Sequence, residues 1–169
     1  RNETQIVLTI LGADQVNPHD ILAINAASAA LMISGIPFDG PIGAVRVAFS
    51  QEGTWIPHPT FEESTAATFE LVVAGRQLDN GDVAVMMVEA GGTEKSFVYY
   101  EDGAPKVDEA VLAGGLEASK QYIKESIALQ NELVAAVIAA KGPIKQLSYK
   151  PVLDYGDDAG PDSRGLFQQ

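Results

Sequence analysis

Two apolar runs, ELVVAGR (70–76) and DVAVMMVEA (82–90), flank the stretch Asp79-Asn80-Gly81, and this arrangement narrows the possible folds more than any other part of the chain. Asn-Gly takes the positive φ angles of a tight hairpin at little steric cost, so the two runs are expected to pair antiparallel. Neither alternates apolar with polar residues as a half-solvated strand does. Each therefore reads as covered on two faces, inside the central sheet of a layered domain.

Such a sheet needs helices on its faces and more strands beside it. QIVLTIL (5–11) is β-branched and bounded by Gly12, GAVRVAF (43–49) and TWIPH (54–58) flank a turn at Gln51-Glu52-Gly53, and SFVYY (96–100) reads as a further short strand. A helix over 18–34 has Asn17 as its expected N-cap, Pro18 in the first turn and Gly35 as its stop. Its Ile21, Ile24, Ser28 and Leu31 share one face amid many alanines, and the alanine face is expected to pack closely on the sheet. A long helical pattern runs from Val107 to about residue 140, with Gly114-Gly115 as a possible kink, and stops at Gly142-Pro143. The expected architecture is an α+β layered domain: a mixed sheet holding 5–11, 44–50, 69–75 and 83–89, flanked by the helices 18–34 and 107–140. By position the chain divides into a lobe core (1–105), a long helix packed on it (106–142) and a linker or tail (143–169).

Function classes are narrowed mainly by what is missing. With 169 residues the chain suits one core. A net charge of −12, with lysines interleaved among acids and Arg46 and Arg76 isolated in strands or at strand ends, argues against a primary grip on a phosphate backbone. Without cysteine there is no disulfide, thiolate metal site or thiol nucleophile, and a reducing, cytoplasmic setting is the default. No apolar run is long enough to span a membrane. The opening RNETQIVLTI has neither an initiating Met nor a leader-peptide layout and reads as an internal start. GPIG at 40–43 is too short to cradle a pyrophosphate, and His19 and His58 lack zinc-site spacing. His19 reads as a solvated first-turn residue, and Trp55, Met86 and Met87 as core. Asp154, Asp157, Asp158 and Asp162 lack the alternating ligands of a calcium loop and read as a solvated linker.

Four segments carry a resemblance: NPHDILAINAASAALMISGIPFDGPIGAVRVA, TWIPHPTFEE, FELVVAGR and DVAVMMVEA. In order, over roughly residues 1–155, they resemble polynucleotide phosphorylase, in the latter half of the first of its two RNase PH-like repeats. LVVAGRQLDNGDVAVMMVEA and PVLDYGDD look most similar to the actinobacterial branch. The resemblance implies an RNase PH-like lobe. It also implies a parent enzyme that degrades RNA from its 3′ end with phosphate, releases nucleoside diphosphates, uses Mg²⁺ and works as a homotrimer. Actinobacterial members are linked in addition with guanosine pentaphosphate synthesis.

The same resemblance implies that this copy of the repeat is degenerate. Where the family's active repeat has an Asp-Phe-Lys-Val-Ala-Gly strand, this chain has Glu70-Leu71-Val72-Val73-Ala74-Gly75, so the acid remains as Glu70 and the lysine is replaced by Val72. A second catalytic aspartate, six residues upstream, falls on Ser64, and a phosphate-binding serine stretch falls near Asn17, Pro18, His19 and Asp20. The expectation is a structural repeat with no catalytic, phosphate or metal site of its own, beside a second RNase PH-like repeat that does the chemistry on RNA and phosphate. The alternatives are a nucleotide-binding repeat for guanosine pentaphosphate synthesis and a non-enzymatic assembly module.

Overall fold

The computed structural model describes residues 3–148. Four strands, β1 (Gly43–Phe49), β2 (Trp55–Pro57), β3 (Phe69–Gln77) and β4 (Val83–Gly92), form one sheet in the order β2-β1-β3-β4. Side chains alternate between the faces of a sheet, which sorts the apolar residues into two layers. Val45, Val47, Leu71 and Val73 pack with Ile123 and Ile127 of helix α4 (Glu109–Lys141). On the opposite face Ala44, Val72 and Ala74 pack with Ile21 of helix α1 (Asp20–Ser34). Two short helices, α2 (Phe61–Ala66) and α3 (Ser96–Glu101), lie in the connections.

The expected hairpin is present. β3 and β4 pair antiparallel through a loop in which Gly81 donates to the Leu78 carbonyl at 2.9 Å, with Gly81 at φ 81°. Helix α1 ends on Gly35 at φ 78°, also as expected. Its start differs. Asp14 accepts the backbone N–H groups of Val16 and Asn17 at 2.8 Å, which holds Asn17 in a turn and leaves the cap to His19, without a side-chain bond. Nor is the buried face of α1 an alanine stripe. Ala26 and Ala30 are exposed, and the contact is made by Ile21 and Ile24, with Asn25 and Ser28 hydrogen-bonded to Ala44 and Ile42. The Asn25 side chain both donates to the Ala44 carbonyl (3.0 Å) and accepts from the Ala44 N–H (2.8 Å), so its polarity is satisfied at the layer boundary.

Several expectations are corrected. The sheet is antiparallel throughout the described residues, because 5–11 does not join it; Val7 and Leu11 are exposed, and a strand persists only as one of a hydrogen-bonded pair. Residues 96–100 are helical: after Gly92 the chain turns, and Tyr99 donates to the Lys95 carbonyl at helical spacing. β4 is an edge strand, and from Val85 onward its residues are exposed, so its apolar run is not covered on both faces and Met86 and Met87 stand exposed instead of in the core. Helix α4 continues through Gly114-Gly115 without a break. Trp55 does belong to the core, tilted against Phe49 with ring centroids 4.8 Å apart. The segment 149–169, with the acidic tail, lies outside the described residues.

Candidate functional site

The α1-facing side of the sheet carries two charged residues next to one another. Arg46 lies opposite Val72, and Glu70 opposite Ala48, so the two are diagonal neighbours on one face, within reach of long side chains. The first residue of α1, Asp20, completes the set. Arg46 donates from one terminal nitrogen to Asp20 Oδ2 (2.5 Å) and from the other to Glu70 Oε2 (3.1 Å). Desolvation pushes the Asp20 carboxyl up, but the Arg46 hydrogen bond and the Ile21 N–H outweigh it and hold the group below the usual aspartate range.

Helix α2 closes the other side. Thr60 accepts from the Glu63 N–H, and the Glu63 carboxylate accepts from the Thr60 N–H at 2.8 Å, a reciprocal cap that fixes the first turn. The Thr60 N–H and the Thr60 hydroxyl, both donating to the carboxylate, hold Glu63 below its ordinary value. Ser64 follows one residue later. The result is a pocket of about 380 Å³ lined by Pro18, His19, Asp20, Arg46, Phe61, Ser64 and Glu70.

The structure therefore gathers five positions that the sequence singled out: Pro18, His19, Asp20, Ser64 and Glu70. Val72 sits on the same face but buried beneath α1, packed with Ile21 and Ala44, and presents no polar group. Asn17 lines an adjoining pocket of about 190 Å³ that shares Pro18 and Arg46 and includes His58. Sequence reasoning missed Arg46 and Phe61 as members of the site. The available signal was a lone charge inside GAVRVAF, but its partners are 24 and 26 residues away and become visible only once the strand register is known.

Charge decides what this arrangement can do. One guanidinium faces two carboxylates, so with all three groups ionised the trio carries a net negative charge, and the cation is already engaged by both acids. A phosphate dianion would meet two carboxylates within contact distance of its single counter-charge, which is unfavourable at any plausible dielectric. Elsewhere Arg76 pairs with exposed Asp39 at 2.9 Å and Lys120 with Asp82 at 3.1 Å. Among the described residues, no group of three or more His, Cys, Asp or Glu side chains is placed to hold a metal ion. No helix among them is long and apolar enough to cross a membrane.

No protein-family model matches the chain. Curated proteins do. The chain is 49% identical over 158 residues to the polyribonucleotide nucleotidyltransferase of Acidothermus cellulolyticus, covering 94% of this chain and 19% of that protein. It is 50% identical over 159 residues to the enzyme of that name from Salinispora arenicola, covering 94% and 20%. The corresponding protein of a Nocardioides species is 46% identical over 158 residues, again covering 94% and 20%. The chain spans about a fifth of the length of these relatives. A layered antiparallel lobe with identity near one half along almost all of its length makes this chain a homologue of one segment of the polyribonucleotide nucleotidyltransferases.

Proposed function

We propose that the chain is the latter half of a degenerate RNase PH-like repeat within a phosphorolytic 3′-to-5′ exoribonuclease, and that it serves as a structural partner to a second, catalytic repeat. The observation that carries this reading is Arg46 held between Asp20 and Glu70 in the pocket where the resemblance would place phosphate and the catalytic acids. Phosphorolysis needs a site that binds a phosphate dianion and stabilises the charge developing at the scissile phosphodiester. Here the arginine is neutralised, Ser64 stands in place of an acid and Val72 in place of the lysine. A divalent cation fits no better, since Asp20 and Glu70 direct their oxygens at a guanidinium and a metal would have to displace it.

In the whole protein we assign RNA and phosphate binding, Mg²⁺ and nucleoside diphosphate release to the other repeat, and a cytoplasmic homotrimer as the working form. Residues 1–105 would then form the lobe core, 106–142 the helix that backs it, and 143–169 the link toward a helical region. Guanosine pentaphosphate synthesis in this pocket is disfavoured by the same two carboxylates. The test is direct: incubation of the 169-residue chain with an oligoribonucleotide, phosphate and Mg²⁺ should release no nucleoside diphosphate above a buffer control. Release that disappears in Glu70→Ala would overturn the assignment.

A further inference from the structure

Among the described residues, four buried side-chain polar atoms have no hydrogen-bond partner, and three of them belong to residues lining one pocket: Arg46 Nε, Ser64 Oγ and Glu70 Oε1. Native proteins leave few such atoms unpaired, because each costs much of its desolvation penalty. Their concentration in one place calls for a partner. The three are chemically complementary: Arg46 Nε can only donate, an ionised Glu70 can only accept, and Ser64 can do either.

From this juxtaposition we propose that the pocket binds an uncharged ligand carrying a vicinal diol, the chemistry shared by free sugars and by the ribose of a nucleoside. One hydroxyl donates to Glu70, its neighbour accepts from Arg46, and Ser64 bonds to either. Anions are rejected because Asp20 and Glu70 outnumber the single arginine. A bare ammonium ligand would meet the guanidinium and leave Arg46 Nε unpaired. The walls suit a ring, since Pro18 and the half-exposed Phe61 offer apolar surface against which a sugar or base can lie. At about 380 Å³ the pocket falls within the range of about 300–1,000 Å³ typical of small-molecule sites. The three atoms have almost no surface open to water in the ligand-free chain, so binding has to turn the Arg46, Ser64 and Glu70 side chains toward the pocket. This binding is independent of whether the repeat catalyses phosphorolysis, because it is read without phosphate, metal or turnover.

The experiment is titration of the ¹⁵N-labelled chain with ribose, adenosine, 2′-deoxyadenosine and adenosine 5′-diphosphate, following backbone amide signals into the tens of millimolar. Adenosine should give saturable shifts around Phe61, Ser64 and Glu70. The 2′-deoxy analogue should bind about three- to tenfold more weakly, the worth of one lost hydrogen bond. Ribose binding as well as adenosine identifies the free sugar as the source, and ribose binding weakly beside it identifies the nucleoside; either supports the site. Glu70→Gln should weaken adenosine binding, and Ser64→Ala, which leaves the Arg46 pairs intact, should do so by a similar factor. The proposal is overturned if adenosine gives no saturable shift, if the diphosphate binds as tightly as adenosine, or if both variants bind like the parent chain.

Discussion

Arg46 is the residue on which the candidate site turns, because it converts two carboxylates from a repelling pair into a bridged cluster. Replacing it by methionine preserves much of the stem packing and removes the bridge, leaving Asp20 and Glu70 facing each other across a partly buried pocket. The cost expected is about 1–2 kcal/mol, at the low end for a broken ion pair because Asp20 is half exposed to water. The pH dependence has a definite sign. Asp20 is held below its unfolded value in the native chain, so its share of the stability is fully present above the unfolded carboxyl pKa of about 3.9 and is lost as pH falls through the lower folded value. Urea denaturation of Arg46→Met against the parent chain should show the difference in full at pH 6–7 and a shrinking gap below about pH 4. A gap that stays constant with pH would mean that Arg46 acts through packing alone.

At the scale of elements, adjacent glycines in α4 offer a sharp contrast. A Cβ on Gly114 would meet nothing within 4 Å, whereas one on Gly115 would lie 2.5 Å from Trp55 Cζ2 and 2.9 Å from Leu71 Cδ1. Gly115 is therefore the point where the helix backbone comes down on the sheet. Gly114→Ala should stabilise the chain by about 0.5–1 kcal/mol through helix propensity. Gly115→Ala gains the same propensity but overpacks the core, for a net loss of about 1–2 kcal/mol. Thermal melts followed by circular dichroism should move in opposite directions, and parallel shifts would show that the glycine pair is a flexible joint after all. The pair was legible in the sequence as an interruption, yet its meaning was not, since the reason lies in Trp55, sixty residues earlier. The same division runs through the fold. The hairpin at Asn80-Gly81 and the Gly35 stop follow from local stereochemistry and could be read directly. The edge position of β4 and the unpaired state of 5–11 depend on which strands are neighbours, which no local pattern encodes. Within the site, Ser64, Glu70 and Asp20 could be picked out by resemblance, while the Arg46 bridge needed the β1–β3 register.

At the scale of the whole molecule, two properties pull in opposite directions. The net charge of −12 makes copies of the chain repel one another and leaves little to neutralise a phosphate backbone. Against this stands apolar surface that the described residues leave uncovered: Ile6, Val7 and Leu11 near the start, Met86 and Val88 on the β4 edge, and Leu129 and Leu133 on α4. The loop between α1 and β1, GIPFDGPIG (35–43), which the sequence would let one expect to lose its covering, does not contribute, as its Ile36, Phe38 and Ile42 are half-buried. Uncovered apolar patches drive association once repulsion is screened, and the Debye length falls from about 30 Å at 0.01 M salt to about 8 Å at 0.15 M. Salt should thus act on the two kinds of contact with opposite signs. In sedimentation velocity runs over a wide concentration series, self-association of the 169-residue chain should grow from low to physiological salt. Binding to a single-stranded oligoribonucleotide should be weak at low salt and vanish over the same interval, because it rests on a few scattered lysines and arginines. Tight RNA binding at physiological salt would reveal a basic surface that the charge distribution does not predict, and a chain that stays monomeric at every concentration and salt would show that the exposed apolar residues are too dispersed to hold two copies together.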